Sequence, residues 1–412
     1  MQTRTFIVYI LAGILAFGCQ SGPALQFEAV DPLQKVFPES NYFASMEAHA
    51  DVARGEHASF QFVVRANAHM DNLRIDVSPL SNGESELSEI KSGFVGFVKV
   101  GRANPDPSND ALAPVSGYFP DPIIYEESRD VKFGNTQPIW ISVHIPVDCA
   151  TGIYRGSVAI RGEINGRSFS QEKDIEVEVF EPVIEKTSLW VTNWFFLDRL
   201  HYLNNMEPVE RHSSLFWELS RVMAGTLAEY RQNVAMISPF DHTEFTFENG
   251  QWDFDFSNFN KMVELFIDEG VIGRLEGGHF GSRLDGDWLG PFGLSVPVPE
   301  NDSVDRELLP LDNPRTREFY TAFLPAFVDN IREKGWEDQY IQHIADEPIN
   351  ENVESYIEIS RFLKALEPDL KVIEACHTHQ LENMVDIWVP QMNFLRDGLE
   401  FYHDQQDKGD EA

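Results

Sequence analysis

Two periodicities divide the chain. From about residue 24 to 186, apolar residues recur at every second position in short segments separated by Gly, Pro, Asn and Asp. Phe60, Phe62 and Val64 alternate with polar neighbours, as do Leu73, Ile75 and Val77, and Ile139, Ile141, Val143 and Ile145. Ile175, Val177 and Val179 alternate strictly with Asp174, Glu176 and Glu178. Strands with one dry and one wet face suit antiparallel sheets packed as a β-sandwich, which is expected over 24–186. The Pro-rich stretch from Asn104 to Pro122 reads as a long surface loop.

After Pro182 short apolar runs alternate with amphipathic helices. The runs are Leu189 to Leu197, Val234 to Phe240, Ile272 to Phe280, Tyr340 to Pro348, Val372 to His379 and Ile387 to Pro390. Between them lie helical patterns such as Phe319, Phe323, Phe327 and Ile331 at four-residue spacing. Phe245 and Phe247 face Trp252 and Phe254 across Asn249-Gly250, the preferred pair for a two-residue hairpin turn. The stretch from Gly281 to Pro314 is too long for a simple connection and reads as a substrate-facing insertion. Strand-and-helix units in sequence imply a parallel sheet with helical crossovers. Polar residues gather at the strand ends and neither GxGxxG nor a P-loop is present, so a (β/α)8 TIM-type barrel is expected over 187–412, with no cofactor. Only six units precede Ala412, so the barrel is expected to be incomplete and the sequence truncated at its C-terminal end.

Composition changes the picture in three ways. With 412 residues, at roughly 150 per domain, two to three domains are expected. Lys plus Arg number 32 against 67 Asp plus Glu, a net charge of −35, which repels nucleic acid and anionic bilayers but not neutral sugars. The three cysteines, Cys19, Cys149 and Cys376, are too far apart for a CxxC or zinc pattern and do not suggest a disulfide framework. Residues 1–18 carry a basic Arg4 and an apolar run from Phe6 to Phe17, shorter than the ~20 residues of a spanning helix, and read as a signal peptide. Ala16-Phe17-Gly18-Cys19 resembles a lipoprotein box, so Cys19 is expected to carry a lipid, with 19–23 as linker. An exported bacterial lipoprotein, periplasmic or outer-membrane anchored, is the expectation; the lipid would be its only membrane contact.

The strongest chemical candidate is Gln342-His343-Ile344-Ala345-Asp346-Glu347-Pro348, where an apolar strand delivers two adjacent carboxylates to its C-terminal end. Two anions this close disfavour joint ionisation, so one can keep a proton and act as general acid. Glu347, the longer, suits the acid; Asp346 would stay charged and orient the substrate. Asp-Glu recurs at Asp268-Glu269 and Asp410-Glu411, so the dipeptide alone says little, and its position at the end of a buried strand is what distinguishes it.

With HIADEP at 343 to 348, VTNWFFLDRL at 191 to 200, EGGHFGSRL at 276 to 284, the hairpin FTFENGQWDFDF at 245 to 256 and WISVHIPVDCATGIYRG at 140 to 156, the sequence resembles glycoside hydrolase family 123, the β-N-acetylgalactosaminidases. The resemblance implies a retaining, substrate-assisted reaction on a glycan ending in an N-acetylhexosamine. The sugar's 2-acetamido oxygen would attack the anomeric carbon to form an oxazolinium ion, with Asp346 holding the acetamide N–H and Glu347 serving as acid and then base.

Further rim residues are candidate sugar contacts. Trp194 can stack on a pyranose or fill core; Asn193 and Gln391 lie at strand ends. His279, after Gly277-Gly278, can bond a hydroxyl or be structural. Arg283 can bind a substrate carboxylate or sulfate, or pair with Asp285 and Asp287. His343 either orients Glu347 or fills the interior, and His377 is a further sugar contact. His377-Thr378-His379 raises a zinc alternative, but no third ligand lies at suitable spacing, so no metal is expected. Two alternatives stand beside the hydrolase: a lipid-anchored glycan-binding protein without catalysis, and a β-N-acetylglucosaminidase.

Overall fold

A computed structural model describes residues 25–102, 116–298 and 305–412. The signal peptide, Cys19 and the linker expected at 1–23 lie outside the described residues. The chain divides into two compact units, the first ending at Lys186 and the second running from Thr187 to Ala412.

In the first unit the period-two segments form two sheets around one core. One sheet runs Leu25–Val30, His57–Ala66, Thr136–His144, Ile90–Val100, Gly117–Ile124, antiparallel throughout. In the other, Gly152–Ile164 lies between Arg167–Val183 and Met70–Val77, and His49–Arg54 joins the edge in parallel. Phe60, Phe62, Ile139, Ile141, Val158, Ile175 and Val177 point into the shared core, as their alternation requires. Two expectations change. The strand with Phe60, Phe62 and Val64 is dry on both faces: Val63 packs with Val30 and Val36, and Gln61 donates to the Asp31 and Gln34 carbonyls at 2.9 Å. Residues 104–115 of the expected loop lie outside the described residues, and its last part is a strand, because Gly117–Ile124 pairs with Ile90–Val100 despite its two prolines.

In the second unit, Val234–Met236, Arg274–Gly277 and Tyr340–Gln342 form a parallel sheet, and Ile373–Ala375 pairs in parallel with Ile387–Val389. A parallel bridge from Gln342 to Val372 links the two sets. Helices Ser257–Asp268, Pro314–Glu333 and Val353–Leu366 lie in sequence between these strands, after Ser214–Glu229 and before Met392–Lys408. Among the described residues five parallel strands are seen where six units were expected. The first expected run, Leu189 to Leu197, forms no strand: Val191 docks beside Val234–Met236 through the Asn233 side chain, which accepts its N–H at 2.7 Å, and a 3-10 turn follows at Leu197–Leu203. A closed eight-stranded barrel is not seen among the described residues. The hairpin forms as the Asn249-Gly250 pair dictates, with both residues at positive φ, 53° and 79°. Phe319, Phe323 and Phe327 stack along one helix face at 5.2 and 5.6 Å, and Phe240, Phe245 and Phe254 pack on them. Each fully buried Phe contributes about 1.5–3 kcal/mol. The expected insertion from Gly281 to Pro314 is partly a small antiparallel sheet of Gly281–Arg283, Phe292–Pro297 and Arg306–Leu309. No described helix is long and apolar enough to cross a membrane.

Candidate active site

Asp346 and Glu347 lie just beyond the middle parallel strand, Tyr340–Gln342, after the buried Ile344 and Ala345. Their side chains face different histidines. Asp346 Oδ1 is 3.8 Å from His279 Nε2, and Glu347 Oε1 is 3.4 Å from His377 Nε2. Glu347 has φ 49°, in the left-handed region, where a residue with a Cβ costs roughly 1–2 kcal/mol. Arg283 holds this kink: its guanidinium donates to the Asp346 carbonyl at 3.1 Å and the Glu347 carbonyl at 2.7 Å. The Arg283 head is itself fixed by the Trp288 carbonyl at 2.9 Å and lies 3.9 Å over the Trp288 ring.

Beneath the pair three buried groups meet. His343 Nε2 hydrogen-bonds Glu276, and Nδ1 lies 3.1 Å from Glu374 Oε1. Burial opposes a charge on His343, but Glu374 and Glu276 outweigh it and its pKa is raised to about 10. Burial would likewise push Glu276 up, yet hydrogen bonds from His343, Thr192 at 2.9 Å and the Trp194 indole at 3.1 Å hold it below the usual carboxylate range. His279 is shifted down, by burial first and by the charge on His343 second. Its Nε2 is buried and has no hydrogen-bond partner among the described residues. Gly277 is required here, since a Cβ would fall 2.4 Å from the Tyr340 hydroxyl and 2.5 Å from Gln342 Oε1.

Beside His279 opens a cleft of about 480 Å³, whose walls include Phe195, Phe196, Ser238, Asp241, Arg211 and Arg306. Arg306 donates to Asp241 Oδ1 at 2.6 Å and Arg211 to the Asp241 carbonyl at 2.8 Å. Burial opposes ionisation of Asp241, but Arg306 and Arg211 hold its carboxyl below the usual range. Burial drives the neighbouring His242 down to about 3. Paired charges with unused donors, next to exposed aromatic rings, suit a polyhydroxylated neutral ligand.

Two family models match the sequence: the glycoside hydrolase 123 N-terminal domain over residues 33–162 and the glycoside hydrolase 123 catalytic domain over residues 215–411. The chain belongs to glycoside hydrolase family 123. It is therefore a glycosidase, and the acid pair lies inside its catalytic domain. A solved family 123 glycoside hydrolase from Clostridium perfringens, described for glycolipid glycan hydrolysis, shares the fold with a TM-score of 0.68 and 16% identity, covering 94% of this chain and 71% of that one. A β-glucuronidase from Parabacteroides merdae is matched at a TM-score of 0.30 and 8% identity, over 86% of this chain and 36% of that one. No curated protein matches the sequence.

Within this family 123 enzyme the candidate residues separate into three groups. Trp194, His279 and His377 gather with Asp346 and Glu347: Trp194 is 41% exposed, and its ring meets those of His279 and His343 edge-on at 5.3 and 5.5 Å. Two readings are corrected. Arg283 grips the backbone of the acid pair rather than presenting its fork to a substrate anion, and it does not pair with Asp285 or Asp287. His343 is buried between carboxylates and has no surface with which to meet a sugar. Asn193 and Gln391 are not brought to the pair. Asn193 is exposed and bound to Gln232 at 3.2 Å, and the exposed Gln391 begins the last helix with no side-chain bond to the acid pair. His379 stacks on Phe401 at 4.0 Å, which separates it from His377 as a ligand pair.

Sequence reasoning missed Glu276 and Glu374. The available signal was a lone acid inside each of two buried runs, Ile272 to Phe280 and Val372 to His379.

Proposed function

We propose that this glycosidase releases terminal β-linked N-acetylgalactosamine from glycans by a retaining, substrate-assisted reaction. The observation that carries the proposal is the divergence of two adjacent acids at one strand end, beside a cleft of sugar size. The 2-acetamido oxygen attacks the anomeric carbon while Glu347 gives its proton to the departing oxygen. Asp346 accepts the acetamide N–H and offsets the positive charge on the oxazolinium ion. Water then attacks the anomeric carbon, Glu347 takes its proton, and the sugar leaves with its configuration retained. The cleft between His279 and Asp241 receives the sugar, and Trp194 packs against the His279 ring. The description of the Clostridium relative supports a glycolipid glycan as the source.

Two further parts of the proposal rest on the sequence. The five parallel strands are read as part of a (β/α)8 barrel, and the N-terminal segment as a lipoprotein signal that anchors an exported enzyme through Cys19.

The test uses 4-nitrophenyl β-glycosides of N-acetylgalactosamine and N-acetylglucosamine with the full-length protein. The galacto substrate should turn over faster, and Glu347→Gln should lose at least about 10²-fold in kcat. Faster gluco turnover would reassign the enzyme as a β-N-acetylglucosaminidase. Saturable sugar binding without turnover would leave a glycan-binding protein, and a Glu347→Gln enzyme as fast as its parent would remove the acid.

A further inference from the structure

Three ionisable side chains, two from neighbouring strands and one from the residue just past the strand between them, meet under the acid pair with almost no access to water. Glu276 is 1% exposed, His343 2% and Glu374 0%. Each ring nitrogen of His343 faces a different carboxylate: Nε2 bonds Glu276 Oε1, and Nδ1 is 3.1 Å from Glu374 Oε1. A neutral imidazole has one N–H and one lone pair. In either tautomer one contact would set a nitrogen lone pair against a carboxylate oxygen in a dry site. Only the doubly protonated ring donates to both.

The alternative is a proton on one of the carboxyl groups, and their other bonds argue against it. Glu276 already accepts from the Thr192 hydroxyl at 2.9 Å and the Trp194 indole at 3.1 Å. Glu374 accepts from the Tyr356 hydroxyl at 3.0 Å and the Ala345 N–H at 3.3 Å. Donors converging on both acids stabilise their ionised forms. The other titratable group against the ring is His279, with ring centres 4.6 Å apart; Trp194 meets it edge-on.

We infer that His343 is held as an imidazolium between two buried carboxylates and acts as a positioning residue for the acid pair and its sugar cleft. Glu276 carries that position to Trp194, and Glu374 carries it to the backbone of Ala345, one residue before Asp346. The three charges sum to one negative, fixed in a low-dielectric site below Asp346. Such a charge favours the positive charge that develops on the sugar, a consequence that rests on the hydrolytic reading above. The same geometry disfavours a metal at His279, His343 and Glu374, whose ligand atoms lie within 4.8 Å of one another. A ligating histidine needs a free nitrogen lone pair, and His343 has none.

The experiment is nitrogen NMR of the full-length protein labelled with 15N-histidine, together with kinetics. One ring should show both nitrogens protonated from about pH 7 to about pH 9, and that signal should vanish in His343→Gln. A singly protonated His343 at about pH 7 would overturn the inference. In the kinetic arm, His343→Gln should lower kcat on the galacto substrate by about 10²-fold with KM within about threefold. Its pH profile should gain an ionisation as one of the two acids loses its counter-charge. A kcat within about twofold of the parent and an unchanged profile would overturn the positioning role. If His343→Gln does not fold, Glu374→Gln takes its place with the same two outcomes. Absence of turnover in the parent would count against the hydrolytic reading, and the NMR signal would still decide the charge on His343.

Discussion

The two units treat polar groups in opposite ways. In the first, the buried polar side chains among the described residues are Gln61, Thr136 and Gln137, all uncharged, while Glu28, Asp76 and Glu176 meet Lys173, Arg161 and Arg155 at the surface. In the second, Glu276, Glu367, Glu374, His242 and His343 are buried. Taking a charge out of water costs several kcal/mol unless partners offset it, so a fold gains no stability from collecting such groups. The difference separates a scaffold that needs only alternation from a unit that accepts desolvated charge where chemistry requires it.

That comparison is broken most directly by removing one acid from each unit. Glu374→Ala leaves His343 half-paired in a dry site and is expected to cost about 3–5 kcal/mol. Glu176→Ala removes surface contacts to Arg155 at 2.7 Å and His49 at 3.2 Å and should cost under about 1 kcal/mol. Urea unfolding of both variants measures the gap. Equal losses would mean that the buried triad carries no special energetic role.

The pH dependence of unfolding sharpens the same point. The folded pKa of His343 is raised to about 10 from 6.5, so the stability it contributes is fully present below pH 6.5 and is lost as pH rises toward about 10. The Glu276 pKa is depressed, so its contribution is present above 4.5 and is lost as pH falls through its lower folded value. The melting temperature should therefore fall from neutral pH toward about 10, and His343→Gln should lack most of that fall. An alkaline limb of the same depth in both proteins would place the titration elsewhere.

The first unit was legible because alternation reports burial directly, and it failed where a second layer covered Gln61 and Val63 and where two prolines hid the strand Gly117–Ile124. The second unit was legible as a series of strands and helices, because Phe319, Phe323 and Phe327 keep one face dry over a long helix. Its strands were read too long: the run to Pro348 forms a ladder only over Tyr340–Gln342, and the remaining residues leave the sheet to carry the acids. Asp346, Glu347, Trp194, His279 and His377 were singled out by their place at expected strand ends, and the structure brings them together. Glu276 and Glu374 were not, because the partners that make a buried acid tolerable come from distant segments: His343, Thr192, Trp194 and Tyr356. Arg283 was given the wrong role for the same reason, since no sequence spacing shows that a guanidinium reaches carbonyls 63 and 64 residues away.

Arg283 supplies the third test, smaller in stability but direct in activity. Arg283→Met removes donors to both carbonyls of the left-handed Glu347 turn while keeping an apolar stem on Trp288 and Phe292. Each bond from a charged donor contributes about 1.5–3 kcal/mol, and a displaced acid costs up to about 10²-fold in rate. A kcat at least about tenfold lower with KM changed less than about threefold is expected. A rise in KM alone, confined to carboxylated or sulfated substrates, would restore the anion-binding role.

The smallest effect is expected where the units are alike. Each closes a hairpin with Asn-Gly: Asn249-Gly250 at φ 53° and 79°, and Asn165-Gly166 at φ 51° and 70°. A Cβ at Gly250 or Gly166 would meet nothing within 4 Å, so sterics with neighbours cannot separate the two positions. What remains is the left-handed backbone, which costs a residue with a Cβ roughly 1–2 kcal/mol whatever unit surrounds it. Gly250→Ala and Gly166→Ala should therefore lose about the same stability, and neither should change kcat, because both turns are exposed. Unequal losses in urea unfolding would show that the units differ in more than their buried charge, since local turn chemistry would then depend on which core the hairpin serves.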